Sequence, residues 1–206
     1  WKRDEGRLGV LCQADGGETV MYYIDAEFNE SPGRVGLISI GLACEDGREF
    51  YAVSSEFVEA DCNDWVKANV LPLLGDTPRQ TRAQIRDGIL AFIGDDKPEI
   101  WGYFGAYDWV AFCQVFGAMV DLPPNFPMYI LDIRQVMHER GIRKSDMPPK
   151  PKDAHSAIAD ARWHRAMHQA ILALCRRPLS LYTAPRRILS WRPLSTSSCL
   201  PRRFPS

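Results

Sequence analysis

Met21-Tyr22-Tyr23-Ile24-Asp25-Ala26-Glu27 is an apolar run of aromatic and β-branched residues that ends in two acids. Such side chains suit a pleated, half-buried surface, so the run reads as a β-strand. Residues 35–43 form a second run of the same kind, set off by the polar stretch 29–34 with its Pro32-Gly33 turn. Another turn, Glu45-Asp46-Gly47-Arg48, leads into an alternating segment at 49–53, the third strand. Connections this short imply an antiparallel meander.

Downstream the period changes. Residues 61–71 place Trp65, Val66, Val70 and Leu71 at helical spacing. Thr81-Arg82-Ala83-Gln84 matches a capping box, in which the Thr side chain bonds the third amide and Gln84 reaches back. Ile85, Ile89, Phe92 and Ile93 continue as an apolar stripe, which Pro98 is expected to end. Residues 99–104 read as a fourth, buried strand and 106–116 as a helix. A proline-rich loop at 122–127 precedes a fifth strand at 128–131 and a helix over 132–140, stopped by Gly141. Pro148, Pro149 and Pro151 require 144–153 to be extended. The longest helical run is 156–175. Three strands followed by helix–strand–helix–strand–helix give an α/β fold, a mixed five-stranded sheet with helices on both faces.

The 206 residues, 46% of them hydrophobic, suffice for one well-buried core and not for two large ones. Residues 1–20 are polar, Gly-rich and aperiodic, and are expected to be an extension without a fixed fold. The domain is expected over 21–177, and the Pro-, Ser- and Arg-rich tail, 178–206, is expected to be disordered. The net charge of -1 is unevenly spread. Seven arginines and no acid fall within 176–206, which leaves 18 of the 25 bases against all 26 acids in the remainder. An acidic body does not suit a large non-specific nucleic-acid binder, but it suits a protein that gathers carboxylates around divalent cations. The six cysteines form no C-x-x-C pair and read as free thiols of a reducing cytosol, so a cytoplasmic protein is expected. No run approaches the ~20 apolar residues that cross a bilayer.

Asp25 and Glu27, two apart on a strand, point to one face. Their mutual repulsion disappears if a divalent cation lies between them, although an acidic strand end facing solvent is the plainer reading of that pair alone. Asp108 follows a strand-to-helix turn in Gly105-Ala106-Tyr107-Asp108 and can equally compensate a helix dipole. Asp160 lies inside the last helix, and His155 lies at its mouth, just after the proline-rich loop. A histidine closing over substrate on that loop suits a general base, and a residue beside the helix cap is its other reading.

Asp25-Ala26-Glu27-Phe28, then Tyr107-Asp108, then His155-Ser156-Ala157-Ile158-Ala159-Asp160-Ala161 resembles, in order, the three motifs of the DEDDh branch of 3′–5′ exonucleases. RNase T and oligoribonuclease belong to that branch, and the wording of the last two motifs is most similar to a small bacterial exoribonuclease subgroup. The resemblance spans about residues 21–175. It implies a ribonuclease H-like fold and two Mg²⁺ or Mn²⁺ ions held by Asp25, Glu27, Asp108 and Asp160. His155 would be the base, and nucleoside 5′-monophosphates would leave RNA 3′ ends or short oligoribonucleotides. It also implies a homodimer.

Phe28 stands where many relatives have Thr. It either meets the terminal base or packs in the core, and Trp109 carries the same two readings. Lys144, Lys150 and above all Lys152 flank the loop as candidate phosphate contacts. Three other functions compete: a DNA-directed exonuclease of the same family, a catalytically silent nucleic-acid-binding domain, and a zinc-dependent hydrolase. The last would use Asp160, His164 and His168, which recur every four residues. No fourth ligand is evident, and a solvated helix face is the better account of that stripe.

Overall fold

The computed structural model describes residues 19–175. The expectations for the two ends fall outside that range, apart from Thr19 and Val20, which already belong to the first strand. A meander opens the fold, with β1 (Thr19–Ser31), β2 (Arg34–Cys44) and β3 (Glu49–Ser54) in succession, β2 running antiparallel to both of its neighbours. Next come α1 (Asp64–Asn69), β4 (Arg79–Gln80) and α2 (Arg82–Ile93). They are followed by β5 (Lys97–Gly102), α3 (Ala106–Phe116), β6 (Leu131–Asp132), α4 (Ile133–Glu139) and α5 (Ala157–Cys175).

The sheet has six strands in the order β4-β3-β2-β1-β5-β6, with β1–β5, β3–β4 and β5–β6 parallel. This is the expected mixed α/β architecture, consistent with a ribonuclease H-like fold, with one strand more than the sequence reading foresaw. The extra strand is β4, whose two residues are too few to carry any periodicity. The last strand is Leu131–Asp132 rather than 128–131, because Met128 and Tyr129 project into solvent. Pro98 does not end a helix. Gly94, with φ 61, caps α2, and Pro98 lies within β5 where β1 is its neighbour but β6 has not begun. A proline is tolerated there because one side of the strand needs no donor.

Two of the apolar clusters coat opposite faces of the sheet. Tyr22, Ile24, Ile40 and Leu42 meet Ile85, Ile89 and Ile93 of α2 and Phe112 of α3. Tyr23, Ala43 and Trp101 meet Met167 and Ile171 of α5 and Met137 of α4. Full burial of each such side chain contributes about 1.5–3 kcal/mol. The expected capping box is present: the Gln84 N–H donates to Thr81 Oγ1 at 3.3 Å and the Thr81 N–H to Gln84 Oε1 at 2.8 Å. A third cluster packs Val66 of α1 and Val70 at its C-terminal cap against Val53 and Ile38. Ile38 is the residue skipped where the β1–β2 register shifts between Glu27 and Phe28. A bulge at that point bends the strand pair next to the acids.

Candidate active site

β1 delivers Asp25 and Glu27 to the face covered by α5, since they share their side of the strand with Tyr23, which packs in the α5 cluster. Asp25 pairs with Gly41 of β2. A Cβ on Gly41 would lie 2.5 Å from the backbone of Ala157 and Ile158, so only glycine lets the start of α5 lie flat on the sheet here. That close approach brings Asp160, in the first turn of α5, beside the β1 acids.

Asp108 arrives from the other helix layer. β5 stops pairing with β1 at Trp101–Tyr23, and α3 begins four residues beyond the end of β5. Asp108 Oδ1 accepts a 2.8 Å hydrogen bond from the Ala26 N–H, the amide between the two β1 acids. The turn feeding α3 is stitched by Asp132, whose Oδ2 accepts from the Gly105 N–H at 3.1 Å while Oδ1 accepts from Arg134 at the start of α4.

His155 completes the set. Its N–H donates to Asp160 Oδ2 at 2.8 Å, and its backbone adopts φ 75, outside the ordinary range for a non-glycine residue. Its ring meets Trp65 of α1 edge-on at 4.9 Å. Ligand atoms of Glu27, His155 and Asp160 all lie within 4.8 Å of one another. Asp160 Oδ1 is buried with no hydrogen-bond partner. A buried carboxylate oxygen without a donor calls for a cation. Asp25, Glu27, Asp108, His155 and Asp160 line one cavity of about 360 Å³ together with Phe28, Tyr103, Phe104, Lys144, Lys150, Trp163 and His164.

Crowding shapes the ionisation of these groups. Burial, reinforced by Asp108, Glu27 and Asp160, raises the Asp25 carboxyl well above the usual carboxylate range. Burial and the neighbouring Asp160 and Asp108 push Glu27 up to about 8. Burial brings Asp108 to about 7 against the opposing effect of the Ala26 N–H. Burial and Lys150 lower His155, which keeps its imidazole neutral and able to accept a proton.

Of the expected substrate contacts, Phe28 lies in the cavity wall, with its ring stacked on Tyr107 at 5.7 Å. Trp109 does not. It is 9% exposed and stacks on Phe112 within the core cluster that α3 shares with α2 and the sheet, because one step along α3 from Asp108 turns its side chain about 100° away. Lys144 and Lys150 line the cavity, but Lys152 is exposed outside it. The His164 stripe also differs from expectation, since Asp160, His164 and His168 are all buried against the sheet. The carbonyl oxygen of Ile24 can only accept, so His164 Nδ1 donates to it at 3.0 Å, and Nε2 faces Asp25 Oδ1 at 3.8 Å. Burial lowers His164 to about 4, so this contact is not an ion pair near neutrality. His168 Nδ1 is 2.9 Å from the Tyr23 hydroxyl, and its ring lies over Trp101. With each imidazole held by its own core partner, His164 and His168 are packed against the sheet rather than set out as zinc ligands.

Sequence reasoning missed Gly41, Trp65, Tyr103, Phe104 and Asp132 as parts of the site, and it weighed His164 only as a zinc ligand. Their roles depend on contacts across the fold, and none forms a motif. The position of Tyr103 and Phe104 just before Gly105-Ala106-Tyr107-Asp108 was the sole hint.

The sequence matches the family described as the 3′-5′ exoribonuclease Rv2179c-like domain over residues 20–172. Two curated relatives, 3′-5′ exoribonuclease Rv2179c and 3′-5′ exoribonuclease MT2234.1, come from two strains of Mycobacterium tuberculosis. Each is 44% identical over 147 residues, a match covering 68% of this chain and 86% of the relative. A match over that length, joined to the geometry above, shows that the chain belongs to the Rv2179c-like 3′-5′ exoribonuclease family.

Proposed function

We propose that this protein hydrolyses RNA from its 3′ end, releasing nucleoside 5′-monophosphates one at a time with the help of divalent cations. The observation that carries the reading is the convergence of Asp25, Glu27, Asp108, Asp160 and His155, from four separate elements and loops, in one cavity. The activity in the relatives' names supports RNA over DNA.

The residues fit two Mg²⁺ or Mn²⁺ ions. Four carboxylates crowd together, which raises the proton affinity of Asp25, Glu27 and Asp108, and Asp160 Oδ1 has no donor. Asp25, Glu27, Asp108 and Asp160 would hold the ions, giving the DEDDh arrangement on a ribonuclease H-like sheet. Bound there, the ions neutralise charge on the attacking and leaving oxygens of an in-line displacement.

The chain's own groups do the remainder. Neutral His155 takes a proton from the attacking water as its oxygen bonds to phosphorus. The bond from phosphorus to the 3′ oxygen breaks, and that oxygen leaves as the new 3′ hydroxyl once protonated. Lys144 and Lys150 at the rim attract the phosphate, and Phe28, backed by Tyr107, offers a face to the terminal base.

The test uses a 5′-labelled oligoribonucleotide and the matching DNA, each with Mg²⁺ or Mn²⁺, with the released products identified chromatographically. Stepwise shortening of RNA with nucleoside 5′-monophosphates as product is expected. Internal cuts, 3′-monophosphates or digestion of DNA alone would contradict the proposal, the last in favour of the DNA-directed reading.

A further inference from the structure

Phe104 is one of two non-glycine residues with positive φ among the described residues, at 58, and the other is His155. A bulky side chain is disfavoured in that region, and such strain persists where the surrounding structure enforces it, often at functional sites. Gly105 stands next to it and would occupy this conformation freely. Core burial does not explain the aromatic ring, since Phe104 is 64% exposed and belongs to none of the three apolar clusters. Neither backbone preference nor apolar burial therefore accounts for phenylalanine at this position.

Its place in the fold does. Phe104 lines the catalytic cavity and also an adjoining cavity of about 600 Å³, whose wall includes Arg134, Gln135 and His138 of α4. The acid on that wall nearest in sequence to Arg134, Asp132, is already engaged by the N–H groups of Gly105 and Arg134. Tyr103 holds the Phe104 ring edge-on at 4.7 Å and is itself packed against Trp163 at 5.4 Å. The ring is thus braced from the core side and open toward solvent, at the partition between the cleft and a second chamber that carries a guanidinium.

We propose that Phe104 determines substrate choice by stacking on the base of the second nucleotide from the 3′ end, where the strand passes from the catalytic cleft toward Arg134. This rests on the RNA exonuclease reading above. A flat apolar face accepts any base, so the contact selects for unpaired ends without selecting sequence. It also requires a base at the second position and not merely a phosphodiester.

The experiment compares wild type, Phe104→Ala and Phe104→Tyr on a 5′-labelled oligoribonucleotide, and on the same strand made abasic at the second position from the 3′ end. KM and kcat for the first cut are read, with the thermal unfolding midpoint of each variant. Phe104→Ala is expected to raise KM on the normal strand by about 10-fold with kcat little changed, and Phe104→Tyr to restore it. On the abasic strand, wild type should show the same raised KM and Phe104→Ala no further loss, because ring and base act as one pair. Phe104→Ala should unfold no earlier than wild type. Equal losses on both strands, a fall in kcat alone, or no change in KM would overturn the inference while leaving the exonuclease reading intact. Wild type inert on both strands would instead overturn the exonuclease reading and take this inference with it.

Discussion

Asp108 Oδ1 accepts the Ala26 N–H at 2.8 Å, so the acid from α3 is fastened to the amide between Asp25 and Glu27. One contact therefore sets the spacing of three carboxylates and satisfies a strand donor beyond the reach of β5. Asp108→Asn keeps an oxygen for that amide, whereas Asp108→Ala leaves the donor buried and unpaired, at about 1–3 kcal/mol. Both variants should lose nearly all activity, and only Asp108→Ala should also lose stability by that amount in denaturant unfolding. Equal stability of the two variants would contradict the latch.

Gly41→Ala tests the seat of α5. The added Cβ would collide with the backbone of Ala157 and Ile158, which has no flexible end to move aside. Destabilisation of about 1–3 kcal/mol or more is expected from overpacking, with a drop in kcat larger than in KM because Asp160 and His155 shift together. Wild-type kcat in this variant would show that the start of α5 does not set the site.

The carboxylate cluster makes stability depend on pH in a direction opposite to that of paired acids. Glu27 at about 8 and Asp108 at about 7 hold protons in the folded state that the unfolded chain releases near pH 4. That contribution is complete below about pH 4 and is lost as pH rises through about 7 to 8. The unfolding midpoint of the metal-free protein should fall between about pH 7 and about pH 9, above the range in which the lowered His155, His164 and His168 act in the opposite direction, and Mg²⁺ or Mn²⁺ should reverse the fall. A midpoint that rises over this range without metal would contradict the assignment.

Lys150 tunes the base. After burial, its positive charge is the next cause of the lowered His155. Lys150→Ala should therefore raise the His155 pKa and move the acid limb of the kcat profile to higher pH, besides raising KM. A limb unmoved, or moved to lower pH, would separate Lys150 from His155.

Trp109 belongs to the core, so Trp109→Phe should leave KM for RNA within about twofold, while Trp109→Ala should cost about 3–5 kcal/mol of stability. A selective rise of KM in Trp109→Phe would return the residue to the substrate path.

These cases show which information is local. The meander was legible because the runs at 21–25 and 35–43 are rich in aromatic and β-branched residues and, like the alternating segment 49–53, are set off by short turns. The five site residues were legible because each motif sits within a few residues of chain. What could not be read is long-range. Arg79–Gln80 becomes a strand only because β3 offers an edge. Gly41 matters only because Ala157, more than a hundred residues away, lands on it. The His164 stripe shows a four-residue period whether it faces solvent or sheet, and the period does not say which. Trp109 and Phe104 are both aromatics near Asp108, and only the packing of α3 shows that the first turns inward and the second outward.

The most direct test of the carboxylate–histidine centre follows 5′-labelled RNA with Mn²⁺ in wild type, Asp25→Ala and His155→Ala. The account predicts a ladder shortening one nucleotide at a time in wild type, absent in Asp25→Ala and reduced by about 10²–10⁴ in His155→Ala. An undiminished ladder in Asp25→Ala, or no ladder in wild type, would contradict it.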